Sequence, residues 1–264
     1  MTGVEERIVA QLRQSRKYCD LCDETLERIA LWAWQRHPSL KTATKAAKRK
    51  LHQVYGAYVG QVDVDEVLLL VGQMDRNAPR PICQQILRTH VSTAERLDDL
   101  EAVFEAIWAV TGQPTRVMDL ACGLNPFVLP WMGPIDEYLA CDIDVRLASC
   151  VGKFFENIEF NGVSVCHDLL VTVPDWEADV AFLFKALPCL EQQEKGAGLA
   201  ILKQIQAPHI VVSFPTQSIG GQDKGMGAHY EGIMTHLTEA LNGHIQRLVF
   251  ARETYYILSR TGVL

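Results

Sequence analysis

From residue 115 onward, short apolar runs recur at a spacing that restricts the chain to very few architectures. Thr115 to Leu120, Glu137 to Asp142, Val163 to Cys166, Val180 to Phe184 and His209 to Phe214 read as strands, rich in aliphatic and β-branched residues. Each gap between them is long enough for a crossover helix, which parallel strands require because the chain must return to the same end of the sheet. Gln246 to Phe250 and Thr254 to Leu258 lie close enough to form an antiparallel hairpin around Ala251-Arg252-Glu253. Five parallel strands with a terminal antiparallel pair predict an α/β fold with a doubly wound, Rossmann-like sheet.

The sequence before this region has a helical period. Val4 to Ser15 and Asp23 to Trp34 read as helices, the second with Leu26, Ile29, Ala30, Ala33 and Trp34 on one face. After a break at Pro38, Lys41 to Val54 carries Lys41, Lys45, Lys48 and Arg49 at similar spacing, with Lys50 adjoining. The net charge of −7 argues against a uniformly basic binder of nucleic acid, yet from Ile29 to Val62 there are six basic residues and no acidic one. A solvated surface and an RNA-phosphate face both fit a basic helix, and the absence of offsetting acids favours RNA. Asn77-Ala-Pro-Arg-Pro81 reads as a hinge, dividing a helical N-terminal domain, 1–76, from a Rossmann-like domain, 77–264, that opens with a largely helical stretch from Ile82 to Val110. A length of 264 residues suits one enzyme core with an appendage.

The eight cysteines include one CxxC, Cys19 and Cys22, without a second pair or histidine motif to complete a tetrahedral site, so no metal is expected. No apolar run of membrane-spanning length and no signal-peptide layout is present. A cytoplasmic location without membrane association is therefore the expectation.

The segment Val117-Met-Asp-Leu-Ala-Cys-Gly-Leu-Asn-Pro126 ends the first strand, and small Ala121 and Gly123 let a ligand approach the backbone. It is not a GxGxxG, which weakens a dinucleotide reading. Asp142, 23 residues after Asp119, ends the next strand at about the spacing at which an acid accepts ribose hydroxyls. Asp168 follows the third strand, suiting an exocyclic adenine amine, with Ile143 and Leu169 placed to pack on the ring. A single strand-end acid is more often a cap; three at consecutive strand ends leave cap and ligand roles both open. Phe184 and Lys185 end the fourth strand, where the lysine is structural, sits beside a methyl donor, or contacts RNA.

Several segments together resemble the aminoglycoside-resistance 16S rRNA (guanine(1405)-N(7))-methyltransferase family: Ser15-Arg-Lys-Tyr18, Lys50-Leu-His-Gln-Val-Tyr-Gly-Ala-Tyr58, His90-Val-Ser-Thr-Ala-Glu-Arg-Leu97, Asp119 to Pro126, Phe184-Lys-Ala-Leu-Pro188, Ser213-Phe-Pro215 and Lys224-Gly-Met226. Each is weak alone; the ordered set spans almost the whole chain. The resemblance implies S-adenosylmethionine as cofactor, the 16S rRNA decoding region of the small ribosomal subunit as partner, and resistance to kanamycin- and gentamicin-type drugs. The pocket it implies holds Tyr58, His90, Thr93, Arg96, Asp119, Ala121, Gly123, Asp142, Ile143, Asp168, Leu169 and Phe184, with Arg96 on the methionine carboxylate. Lys224 and Met226 fall where the target nucleotide is expected, and Met226 and Lys185 are positioning candidates. No general base is assigned, because guanine N7 bears a lone pair and no proton.

Gln217 and Gln222 stand where relatives commonly have basic residues, and Gly227 and Ile233-Met234 replace an acid and a Trp-Phe pair. Alternatives are a methyltransferase of the same fold acting on another RNA or a small molecule, and a catalytically silent ribosome-binding homologue.

Overall fold

The computed structural model describes residues 3–55, 62–216 and 226–260. Three helices come first: α1 (Gly3–Arg13), α2 (Asp23–Arg36) and α3 (Leu40–Val54). They bury Ile8, Leu12, Leu21, Leu26, Ile29, Ala33, Ala43, Ala47 and Leu51 against one another as a core of their own. Ser39 starts α3 by accepting from the Thr42 amide, satisfying a donor that the first helical turn leaves free.

Next come α4 (Val64–Gly72), α5 (Arg80–Arg88), α6 (Val91–Ala94) and α7 (Leu100–Thr111). Asp63 caps α4 by accepting from the amides of Asp65 and Glu66. The helical stretch read from Ile82 to Val110 is thus interrupted: extended His90 caps α6, and a 3-10 turn at Leu97–Asp99 precedes α7. Although α4 precedes the Asn77–Pro81 segment, its Val67 and Val71 belong to the sheet domain's core, not to that of α1 to α3. Asn157 also donates to Val71 O at 2.6 Å.

The sheet follows: β1 (Arg116–Leu120), β2 (Glu137–Asp142), α8 (Val145–Asn157), β3 (Gly162–Cys166), β4 (Val180–Phe184), α9 (Leu187–Gln193), α10 (Ala197–Gln204), β5 (His209–Pro215), α11 (Met226–Ala240), β6 (Gly243–Val249) and β7 (Glu253–Arg260). Their order across the sheet is β3-β2-β1-β4-β5-β7-β6. The first five strands are parallel and β7 is antiparallel to both β5 and β6.

Alternation puts Val117, Tyr138, Phe182, Val211 and Tyr255 on one buried face, and Met118, Leu139, Leu183, Val212 and Tyr256 on the other. A sheet covered on both faces explains why its strands read as continuous apolar runs.

The chain order reverses between β1 and β4, and the carboxyl ends there border the crevice where α/β sheets of this type bind ligands. The helical domain sits on that same edge. Cys22 N donates to Ile143 O at 2.8 Å, Val145 N to Asp20 O at 2.7 Å, and Lys50 Nζ to Gln193 O at 3.2 Å.

Candidate active site

The turn after β1 leaves a bare surface. Ala121 and Gly123 both have φ of 53°, a left-handed conformation that costs a residue with a Cβ more than glycine. A Cβ built on Gly123 would meet nothing within 4 Å, so the space above this turn is open. Its amide donates to Asp142 Oδ2 at 2.9 Å, fixing the turn to the end of β2.

Asp142 is half-buried at the rim of this space. Burial pushes its carboxyl up to about 6, against the pull of the amides of Gly123 and Asp144. Each oxygen takes one backbone donor, Oδ2 from Gly123 and Oδ1 from Asp144 at 3.1 Å, and keeps acceptor capacity for a ligand. Asp144 itself caps α8, accepting from the amides of Arg146 and Leu147.

Asp119 serves a different purpose. It is 1% exposed and accepts at Oδ2 from Asn125 Nδ2 at 2.9 Å and Tyr138 Oη at 2.7 Å. Burial pushes it up to about 7 despite those two donors. It supports the site from beneath.

Because the folded-state value lies above that of an unfolded aspartate, Asp119 contributes most to stability below about pH 4, and that contribution is lost as pH rises towards about 7. An Asp119→Asn variant should lack this component. From pH 4 to 8 the urea midpoint of the unsubstituted protein should therefore fall relative to that of the variant; a constant difference would count against the assignment.

Asn125 links Asp119 to a buried ionic cluster. Arg96, 4% exposed, donates to Asn125 Oδ1 and holds Glu253 bidentately, Nε to Oε2 at 3.1 Å and Nη2 to Oε1 at 2.8 Å. The guanidinium also lies over the Phe184 ring, 4.8 Å from its centroid. Lys185 completes the cluster, its Nζ 3.3 Å from Glu253 and 3.0 Å from Glu95.

Lys185 has φ of 55°, and its amide is held by Ser213 O at 3.0 Å. Such strain persists only where surrounding contacts over-determine the backbone. Burial opposes ionisation of Glu253, but the charges of Arg96 and Lys185 prevail and hold it below the usual carboxylate range.

The structure gives several of the expected site residues protein partners. Arg96, expected on the methionine carboxylate, holds the carboxylate of Glu253 of β7 bidentately. Asp168 is 2% exposed and already occupied: Thr25 and Arg28 each donate to Oδ2 at 2.9 Å, and Leu170 N donates to Oδ1 at 2.9 Å. Asp168, expected as the acceptor for an adenine amine, thus also joins the helical domain to the sheet.

Ile143 packs against the helical-domain core, and Leu169 lies in the cluster on one sheet face. Thr93 spends its hydroxyl on Leu87 O at 2.7 Å and His90 O at 3.0 Å. His90 caps α6 through Nδ1, and burial followed by the charge of Lys185 lowers its pKa.

On α3, Lys41, Lys45, Lys48 and Arg49 are exposed as expected. Lys50 is not part of that face: besides its bond to Gln193 O, its ammonium stands 5.5 Å from the Trp32 ring centroid. Tyr58, Lys224, Gln217 and Gln222 lie outside the described residues; Met226 opens α11, and its side chain lies outside them too. Met234 is fully buried in the sheet core.

Glu253, Asn125, Tyr138 and Glu95 escaped the sequence reading. Glu253 falls in the Ala251-Arg252-Glu253 turn and Asn125 in the Asp119 to Pro126 segment, and no local signal marks either one as part of a charge network.

The ribosomal RNA methyltransferase (FmrO) family profile matches residues 14–257. The 16S rRNA (guanine(1405)-N(7))-methyltransferase of Micromonospora echinospora is 34% identical over 97% of this chain and 96% of its own length. Among solved structures, the 16S rRNA methyltransferase RmtF in complex with S-adenosyl-L-homocysteine superposes with a TM-score of 0.85 at 30% identity, covering 99% of this chain and all of that one. The 16S rRNA methylase RmtB gives 0.83 at 29% identity, over 97% of this chain and 98% of its own. The agreement runs through the helical domain as well as the sheet, and the chain belongs to the ribosomal RNA methyltransferase (FmrO) family.

Proposed function

We propose that this protein transfers a methyl group from S-adenosylmethionine to N7 of guanine(1405) in the 16S rRNA of the small ribosomal subunit, and thereby confers aminoglycoside resistance. The observation that carries the reading is Asp142, a half-buried carboxylate with acceptor capacity to spare, beside the open Ala121–Gly123 turn at the switch point of the sheet. The target base follows from the activity named for relatives that match nearly the whole chain.

The residues fit the cofactor. Asp142 would accept ribose hydroxyls, the bare turn would admit the nucleoside to the backbone, and the Arg96–Glu253–Lys185 cluster forms a charged floor at the ends of β4 and β7. When bound, S-adenosylmethionine supplies an electrophilic methyl group on a sulfonium.

The chain need not remove a proton, because guanine N7 carries a free lone pair. Its work is to hold donor and base in line and exclude water, which is catalysis by positioning. The target must leave the rRNA stack to reach the crevice. A methyl on N7 removes an acceptor and leaves positive charge on the purine, which disfavours a polycationic drug.

The exposed face of α3 suits the phosphate backbone. Lys41, Lys45 and Lys48 line, with Gln11, Leu40 and Thr44, a surface depression of about 390 Å³. Replacing these three lysines by glutamine should weaken binding to small subunits and flatten the slope of log affinity against log salt by roughly 2 to 3. Filter binding at several salt concentrations measures both; an unchanged slope would remove α3 from the interface.

The reading is tested by incubating purified protein with small ribosomal subunits and labelled S-adenosylmethionine, then mapping the labelled base. N7-methylguanine in the decoding region is the expected product. Label elsewhere, or none, would overturn the proposal, as would unchanged gentamicin tolerance in a susceptible host making active protein.

A further inference from the structure

The CxxC motif takes no part in the site described above, and the fold breaks it up. Cys22 immediately precedes α2 and donates its N–H to Ile143 O. Cys166 ends β3, in register with Asp142 of β2. The carboxyl end of β2 therefore brings the two cysteines together, one from each domain, Cys22 beside Ile143 and Cys166 beside Asp142, and each thiol bears on the ionisation of the other. Cys19 turns away, its Sγ 3.7 Å from Arg16 O. Among the described residues no three His, Cys, Asp or Glu side chains form a metal-holding group.

Cys22 also touches the domain joint directly. Its Sγ lies 3.0 Å from Thr25 Oγ1, which donates to Asp168 at 2.9 Å. Arg28 and Glu24 of the same helix hold the side chain and the amide of Asp168. A change at this sulfur is thus transmitted to the segment that anchors the helical domain to the sheet.

We propose that Cys22 and Cys166 form an oxidative modification site, a reversible disulfide that fastens the helical domain to the cofactor edge of the sheet when the protein meets a peroxide.

The Cys166 thiol beside it holds Cys22 below the ordinary cysteine range, which favours its thiolate. The same interaction, with burial, raises Cys166. Cys22 is 5% exposed, but Cys166 is half-buried and gives a small oxidant access to the pair.

The Cys22 thiolate attacks one peroxide oxygen, the O–O bond breaks, and sulfenic acid and hydroxide result. The Cys166 thiol then attacks that sulfur, forming the S–S bond and expelling hydroxide, which takes up the Cys166 proton as water. Overall, two thiols lose two electrons and two protons, and one peroxide becomes two waters. The bond closes a loop of roughly 140 residues, constraining the unfolded chain.

The test uses full-length protein, reduced, desalted and treated with stoichiometric hydrogen peroxide, then digested without reductant. A peptide linking Cys22 to Cys166, lost on adding dithiothreitol, is expected, together with a melting midpoint raised by more than about 3 °C. Cys19→Ser should still form the link; Cys166→Ser should show no rise on oxidation. A Cys19–Cys22 link, oxidation of either sulfur without a link, or no modification would each overturn the proposal. Should Cys166→Ser fail to fold, the peptide map of the unsubstituted protein decides alone.

Discussion

Replacing Arg96 by alanine should remove about 3–5 kcal/mol of folding stability and methyl transfer with it, because it leaves a buried carboxylate without its main partner. Glu253 is as deeply buried as Arg96, and both its oxygens receive guanidinium donors. Lys185, 3.3 Å away, softens the loss but cannot reproduce the bidentate fork.

Glu253→Ala should be comparably costly, since it leaves two cations side by side with only the partly exposed Glu95 nearby. The double substitution Arg96→Ala, Glu253→Ala should be less harmful than the sum of the single losses, as removing both charges leaves neither one of this pair unpartnered. Urea denaturation of the three variants at pH 7 measures this. A single variant within about 1 kcal/mol of the unsubstituted protein, or strictly additive losses, would refute the account.

Asp142→Ala should act on binding, leaving the fold intact. Loss of hydrogen bonds to a charged acceptor, about 1.5–3 kcal/mol, corresponds to a roughly 10- to 150-fold fall in S-adenosylmethionine affinity. Stability should fall modestly, by about 1–2 kcal/mol, because the lost bonds to the Gly123 and Asp144 amides are partly offset by removing a buried carboxyl whose ionised form folding does not favour. Asp142→Asn keeps one acceptor oxygen and should fall between the two. Calorimetric titration tests the series. Affinity of the unsubstituted protein should also drop as pH falls through about 6, where protonation removes acceptor capacity. Equal affinity of Asp142→Ala and the unsubstituted protein would move the ribose acceptor elsewhere.

The strand ends and the parallel-then-antiparallel order were legible in the sequence because they follow from short continuous apolar runs and from the lengths of chain between them. Glu137 to Asp142 and Val180 to Phe184 are observed with the expected bounds. Asp142 was legible for the same reason, since a strand end with a fixed spacing from β1 places it whatever the side chains elsewhere do. The helix α4 was missed, and its attachment to the sheet depends on Val67 and Val71 meeting α8, a contact between distant segments.

The three strand-end acids show where local reading stops. All three lie near the carboxyl ends of neighbouring strands, yet Asp119 supports the floor, Asp142 faces open space, and Asp168 is held by Thr25 and Arg28. Which role each plays depends on the donors that arrive from other elements, and a strand end does not encode them.

By itself the sequence determined the sheet, the open turn and the position of Asp142, because periodicity, turn chemistry and spacing are properties of neighbouring residues. Only the tertiary structure decided that Arg96 faces Glu253 157 positions away and that Arg28 reaches Asp168 across 140, because a buried charge is satisfied by whichever partner folding brings within hydrogen-bond distance.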